Sequence, residues 1–349
     1  MRIIYRFILF IYCLSFFQAV DSFADRQNKY STSLIYGTDV VAHFDPEFFD
    51  QNADIAVAYN GWLYIAFSTA HTGPPGTDLG IVISKDSGLT WHTFPSFVLG
   101  THNILKVNDI IVIGIDSSSL RIYITYSNLS DGYPYSLGGI AVFDGLTGAA
   151  LPQTLTIGDG TYEVSNVRLA SDFRHPSFGS SGYNVAVVYT TGNGDNTITD
   201  SLVCLIASDS GSINYNYYLL DSSSSLDIRD ASVDYGFSLV WNNGLYFISY
   251  MKGNKIWYCR NSSSIISGFT TPIALNDIIN FNSSTLAQPQ IVCQNSLSSN
   301  DSSGLSVMVM AKAFDSLGTR TFRFPLVIYN MQAAFSDYWY STGIMNSSN

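Results

Sequence analysis

Ser84-Lys85-Asp86-Ser87-Gly88-Leu89-Thr90-Trp91 is the stretch on which the fold turns. Gly80-Ile81-Val82-Ile83 precedes it and His92-Thr93-Phe94 follows, so two short apolar runs flank a compact polar turn. That arrangement predicts a β-hairpin. Asp86 can accept hydrogen bonds from turn amides and Ser84 opens the turn. Gly88 supplies a positive φ that a Cβ would penalise, and Trp91 covers the turn with a large apolar face.

Working outward, the same unit recurs along the chain. In the first copy, residues 54–59, 62–68, 80–84 and 91–94 predict four short strands, the last one following the turn. The second copy has 110–115 and 121–126 as middle strands, then Gly139-Ile140-Ala141-Val142-Phe143 and Asp144-Gly145. In the third, 183–189 and 202–206 lead to Ala207-Ser208-Asp209-Ser210-Gly211, with Asn214 where Trp91 stands. The fourth repeats Asn60-Gly61-Trp62-Leu63-Tyr64 as Asn243-Gly244-Leu245-Tyr246, and Asn261 takes the Asp position. A fifth spans 288–294, 305–311 and 321–329, with 337–340 as an outer strand. Asp86, Asp144, Asp209 and Asn261 are 58, 65 and 52 residues apart, which is one unit with variable loops. Residues 33–43 form a further strand that closes a ring or belongs to a sixth unit. The units run over about 53–99, 100–160, 161–222, 226–276 and 285–345.

The box Ser84, Asp86, Gly88, Trp91, with its partial copy Asp209, Gly211, resembles the Asp-box (BNR-repeat) β-propellers. That superfamily includes sialidases, some endo-glucanases and many non-catalytic binding proteins. The resemblance implies an all-β fold, a β-propeller of five or six four-stranded blades with Asp-box hairpins, in which the box is a structural hairpin at a blade's rim. A β-sandwich would also produce short, evenly spaced strands, and is the competing architecture.

Composition agrees with half-buried strands joined by polar turns: 23 Tyr, 22 Phe and only 12% charged residues. Arg2 and Arg6, the apolar run 7–17 and Ser22-Phe23-Ala24 predict a secretory signal peptide over 1–24, leaving 25–349 as one propeller domain that is secreted or periplasmic. The apolar run is short for a bilayer span of about 20 residues. A net charge of −11 repels phosphate backbones, which argues against nucleic acid and against membrane insertion after cleavage. Cys204, Cys259 and Cys293 permit one disulfide, with Cys259 and Cys293 as a possible pair, or serve as three buried small hydrophobes.

Propellers place ligands at one mouth of the central channel. Polar residues beside the predicted inner strands are therefore the candidates: Asn52, Asp54, His102, Asn103, Glu163, Asn166, Arg229, Asp230 and Gln288. Catalytic candidates are Glu163, Tyr162, Asp54 and Asp230; binding candidates are Arg168, Arg229, His102 and Gln288. A sialidase-like site needs three arginines for a carboxylate, a Tyr nucleophile beside a Glu, and an Asp. Tyr162-Glu163 supplies the pair, but no arginine occurs over 30–60, where the superfamily's Arg-Ile-Pro motif would lie; Phe322-Arg323-Phe324-Pro325 resembles it in the last unit. Beyond the leader, Glu47 and Glu163 are the only glutamates. The five histidines have no paired spacing, so neither metal nor cofactor is expected. A Gly192–Asn196 loop lacks a full calcium-ligand set. Sequons occur at Asn128, Asn261, Asn282, Asn300 and Asn346. The resulting expectation is a monomeric, secreted module that binds a glycan or extracellular protein without catalysis; the alternative is an exported sialidase-like glycoside hydrolase.

Overall fold

The computed structural model describes residues 48–340 except 72–76, 95–103, 115, 130–135, 152–154, 159–161, 173–182, 193–199, 210–212, 239–242, 262–267, 276–284, 295–304, 315–320 and 332–338. Within them the chain is nearly all strand. Five four-stranded sheets follow one another in sequence order. The first contains β1 (Phe48–Val57), β2 (Leu63–His71), β3 (Thr77–Ser84) and β4 (His92–Thr93). The second contains β5 (Ile104–Ile113), β6 (Arg121–Leu129), β7 (Leu137–Asp144) and β8 (Leu155–Ile157). The third is β9 (Glu163–Ser171), β10 (Tyr183–Gly192), β11 (Asp200–Asp209) and β12 (Ile213–Ser223). Next come β13 (Ile228–Ser238), β14 (Asn243–Lys252), β15 (Lys255–Arg260) and β16 (Ile273–Ala274). The last sheet is β17 (Thr285–Gln294), β18 (Leu305–Phe314), β19 (Thr321–Met331) and β20 (Trp339–Tyr340). Pairing is antiparallel throughout. The first strands β1, β5, β9, β13 and β17 pack side by side in succession, so the sheets stand like blades with these strands innermost.

The core lies between the sheets, because strand alternation sends odd and even residues to opposite neighbours. In β7, Ala141 and Phe143 face the first sheet with Ile81, Ile83 and Phe94, while Ile140 and Val142 face the third with Val164, Val185 and Leu205. Tyr246, Ile248 and Tyr250 of β14 meet Val188, Leu202 and Cys204 in the next interface. The three cysteines are buried and free, so the disulfide is not formed and they act as small apolar side chains. On β1 the pattern has one open side: Ala56 and Ala58 pack against the second sheet, whereas Ile55 and Val57 are 55% and 60% exposed.

The recurring glycine within the third strand has a packing cause. Gly80 lies opposite Phe67 and Gly139 opposite Tyr126, and a Cβ at either position would overlap the ring. The aromatic ring on the second strand therefore lies flat across the third.

At the 84–91 turn the Asp86 carboxylate accepts the Thr90 N–H (2.8 Å), the Thr90 hydroxyl (2.5 Å) and the Ser84 hydroxyl (2.8 Å). Ser84 Oγ in turn accepts the Gly88 N–H at 2.8 Å, and Gly88 has φ 90°. These bonds hold the Asp86 carboxyl down at about 2. Asp144 repeats the device for Leu146 and Thr147. Asn261 does not: it is buried and its amide oxygen accepts the Tyr246 N–H at 2.7 Å, a bond back to the sheet instead of into a turn. Asp209 ends β11; Gly211, residues 33–43, the Gly192–Asn196 loop beyond Gly192 and the sequons at Asn282, Asn300 and Asn346 lie outside the described residues.

Two differences from the sequence expectation stand out. Residues 110–113 belong to an innermost strand instead of a middle one, because the second unit's inner strand begins at Ile104, six residues ahead of the apolar run used to place it. The outer strands β8 and β16, three and two residues long, were not expected, being too short for hydrophobic alternation to register, whereas β4 and β20 fall within the expected 91–94 and 337–340.

Candidate functional site

Each innermost strand is interrupted once by an irregularity in register: between Gln51 and Asp54, Val107 and Asp109, Arg229 and Ser232, Ala287 and Gln290, and, in β9, opposite Val188 to Thr190. The residues at these bulges are Asn52, Asn108, Asn166, Asp230 and Gln288. Four of them have left-handed backbone, with φ 49° at Asn52, 52° at Asn166, 54° at Asp230 and 51° at Gln288. A bulge adds a residue to one strand and re-aims its side chain.

Residues just after the bulges stitch neighbouring sheets together. Asp54 Oδ1 accepts its own Ile55 N–H (3.0 Å), and Oδ2 accepts the Ile110 N–H of β5 (3.2 Å). Asp109 accepts Ile110 (2.9 Å) and Leu169 of β9 (2.8 Å). Ser232 Oγ accepts the Ile291 N–H of β17 (3.2 Å), and one rung further Asp234 accepts Tyr235 (2.8 Å) and Cys293 (2.7 Å). Arg168 Nη1 donates to the Asn108 carbonyl at 2.6 Å.

Between the first three sheets these bulges enclose a cavity of about 540 Å³. Its lining is mostly polar: Asn52, Asp54, Lys106, Asn108, Ser127, Asn128, Ser136, Glu163, Ser165, Asn166 and Arg168. Burial pushes the Asp109 carboxyl, just beneath, up to about 7; the neighbouring Asp54 carboxyl adds to the rise, while the Leu169 N–H and Arg168 oppose it. Asp234, buried in the fourth sheet, is raised to about 6, chiefly by desolvation.

Of the sequence candidates, Asn52, Asp54, Glu163, Asn166 and Arg168 share this one cavity. Tyr162 is 42% exposed ahead of β9 and does not line it. Arg229 is turned to Asp227 and to Asp230, the latter 3.6 Å away, while Asp230 Oδ2 accepts the Gln288 N–H at 3.3 Å. These three residues stand on the fourth and fifth sheets, apart from the cavity lining. Arg323 is on β19, the third strand of its sheet. His102 and Asn103 lie outside the described residues. In the second sheet the cavity is lined by Lys106 and Asn108, which sequence reasoning missed; Asp54 and Asp109, 55 residues apart and each just after its bulge, carry the signal that would have placed this strand.

Among the described residues no group of three or more His, Cys, Asp or Glu converges as metal ligands, and no helix is long and apolar enough to cross a membrane.

No family model matches the chain, and no curated protein does. Solved structures do. The α-L-arabinofuranosidase of Fusarium graminearum with an iminosugar inhibitor is 14% identical, covering 82% of this chain and 88% of its own, with a TM-score of 0.48. A protein of unknown function from Dyadobacter fermentans is 11% identical over 82% and 85%, TM-score 0.46. The Aleuria aurantia lectin with α-methyl-L-fucoside is 12% identical over 84% and 76%, TM-score 0.43.

Proposed function

We propose that the protein is an exported, single-domain propeller of five blades that binds carbohydrate, without cleaving it, in the cavity between its first three blades. In this reading the 84–91 turn is an Asp box with a structural role, and residues 1–24 are removed as a signal peptide.

One observation carries the choice of binding over catalysis. Glycoside hydrolysis needs two carboxyl groups at liberty to act on the scissile bond. Asp54 and Asp109 each already accept two backbone N–H groups, one from the neighbouring sheet. Their counterpart Ser232, and Asp234 one rung further, hold the fourth and fifth sheets together in the same way, outside the cavity lining. Glu163 is then the one cavity carboxylate with no structural duty among the described residues. Around it stand amides and hydroxyls, groups that pair with sugar hydroxyls.

The hydrolase reading has one point in its favour: Asp54 and Glu163 share the cavity, with a proton-retaining Asp109 alongside. Incubation with a panel of fluorogenic glycosides, a sialoside included, separates the two. No turnover is expected, together with retention on a glycan array. Turnover abolished by Glu163→Gln would overturn the binding proposal.

A further inference from the structure

All five inner strands bulge at the same level, but the chemistry there divides them. In the first and third the left-handed residue is asparagine, in the second an asparagine stands one residue further along the bulge, and each amide nitrogen donates to a hydroxyl: Asn52 to Ser68 (3.5 Å), Asn108 to Ser127 (2.7 Å) and Asn166 to Ser165 (3.4 Å). Ser165 Oγ is itself 2.9 Å from Thr190 Oγ1. Ser68, Ser127 and Thr190 occupy corresponding places on the second strands, opposite Gln51, Lys106 and Ser165. In the fourth and fifth sheets both halves of the pair change. Asp230 and Gln288 take the bulge, and the second-strand residues become Met251, opposite Arg229, and Lys312, opposite Ala287. The cavity is lined by the three sheets that have the amide–hydroxyl pair and by neither of the two that lack it.

Backbone strain points the same way. Left-handed φ strains a residue with a Cβ, a strain that glycine avoids and asparagine only softens. A bulge required for shape alone would be best served by glycine. Asp230 and Gln288 keep side chains at that cost, Asp230 to accept the Gln288 N–H between the last two sheets, whereas those of Asn52 and Asn166 line the cavity. With the amide nitrogen held by its own blade's hydroxyl, each residue brings a carbonyl oxygen to the ligand as a neutral acceptor.

We propose that Asn52, Asn108 and Asn166 are the specificity-determining residues of the cavity, and that the ligand they select is the hydroxyl face of an uncharged sugar chain bridging three blades. The proposal rests on the glycan-binding reading and narrows it. Three amide oxygens accept from sugar hydroxyls, and Ser127 and Ser165 supply hydroxyls that donate in return. Lys106 and Glu163, of opposite sign, give the cavity no preference for a charged sugar.

The test uses the full mature chain on an array of neutral hexose and pentose oligosaccharides with matched uronic-acid oligosaccharides, then titration calorimetry with the tightest binder. Asn52→Gly and Asn166→Gly relieve the strained backbone, so melting temperatures are expected at or above that of the unaltered protein. Affinity is expected to fall about tenfold for each. Asn108→Ala and Ser127→Ala, made where the backbone is unstrained, are expected to weaken binding similarly. Unchanged affinity in these variants while the unaltered protein binds would overturn this inference alone. Binding confined to uronic-acid sugars, or stabilisation by calcium with no sugar bound, would also overturn it. Failure of the unaltered protein to bind any oligosaccharide would remove the glycan reading and this inference with it.

Discussion

Asp109 makes stability depend on pH through a single carboxyl group. Its folded-state value of about 7 lies above the ordinary carboxylate range, and Asp234, at about 6, behaves alike. Between about pH 4 and 7 the folded protein holds protons that the unfolded chain has released, so stability falls as pH rises through this window. Thermal melts are expected to show a melting temperature that declines over this range, with a flatter slope in Asp109→Asn whatever its absolute stability. An unchanged slope in the variant would contradict the assignment. Asp86 works in the opposite sense: its lowered carboxyl adds stability that is lost only as pH falls below about 4 toward its folded value, and Asp86→Ala should melt lower at neutral pH while losing part of that acid limb. Residue-scale chemistry was unevenly legible in the sequence. The box bonds of Asp86 follow from short-range spacing, because donor and acceptor are within a few residues. The Asp54, Asp109 and Leu169 contacts join residues about 55 to 60 apart and depend on which strand of each unit is innermost, something no local pattern states.

Gly80 and Gly139 show what a strand can record about its neighbour. The Gly-Ile pair shared by β3 and β7 was visible as a repeat, but its cause is the facing ring of Phe67 or Tyr126. Gly80→Ala or Gly139→Ala is expected to cost about 1–3 kcal/mol by forcing that ring off its site; chemical denaturation giving a loss near zero would refute the packing. Hydroxyls on second strands tie sheets together as well. Tyr64 donates to the Gly145 carbonyl at 2.8 Å, and Tyr246 donates to Asn184 at 2.9 Å while accepting the Asp172 N–H at 3.1 Å. Tyr246→Phe removes both bonds, while the Asp172 N–H keeps the Asn184 carbonyl, which also accepts the Ser171 hydroxyl, so about 0.5–1.5 kcal/mol should be lost. Element identity was readable wherever apolar alternation ran for five residues or more, as in β2, β7 and β14. It failed at the outer strands β8 and β16 and at the bulges, where one extra residue shifts the pattern out of phase.

Across the whole molecule, burial resides between sheets, and the number of faces covered decides which substitutions are tolerated. Val142 is buried between the second and third sheets, whereas Val57 is 60% exposed on the open side of the first. Val142→Lys is expected to prevent folding, while Val57→Lys should move stability by about 0.5 kcal/mol or less; a comparable loss at both would mean that another part of the chain covers β1. The repeat foretold the order of the sheets, and polar residues near the inner strands foretold Asn52, Asp54, Glu163, Asn166 and Arg168 of the cavity. Lys106 and Asn108 stayed hidden because the second unit's inner strand was displaced by six residues, which replaced them with His102 and Asn103. The most direct measurement is a crystal structure of the protein with the neutral oligosaccharide it binds most tightly. An intact sugar chain seated among Asn52, Asn108, Asn166 and Arg168 is the predicted result; a sugar bound at the outer rim, or cleaved products beside Glu163, would contradict it.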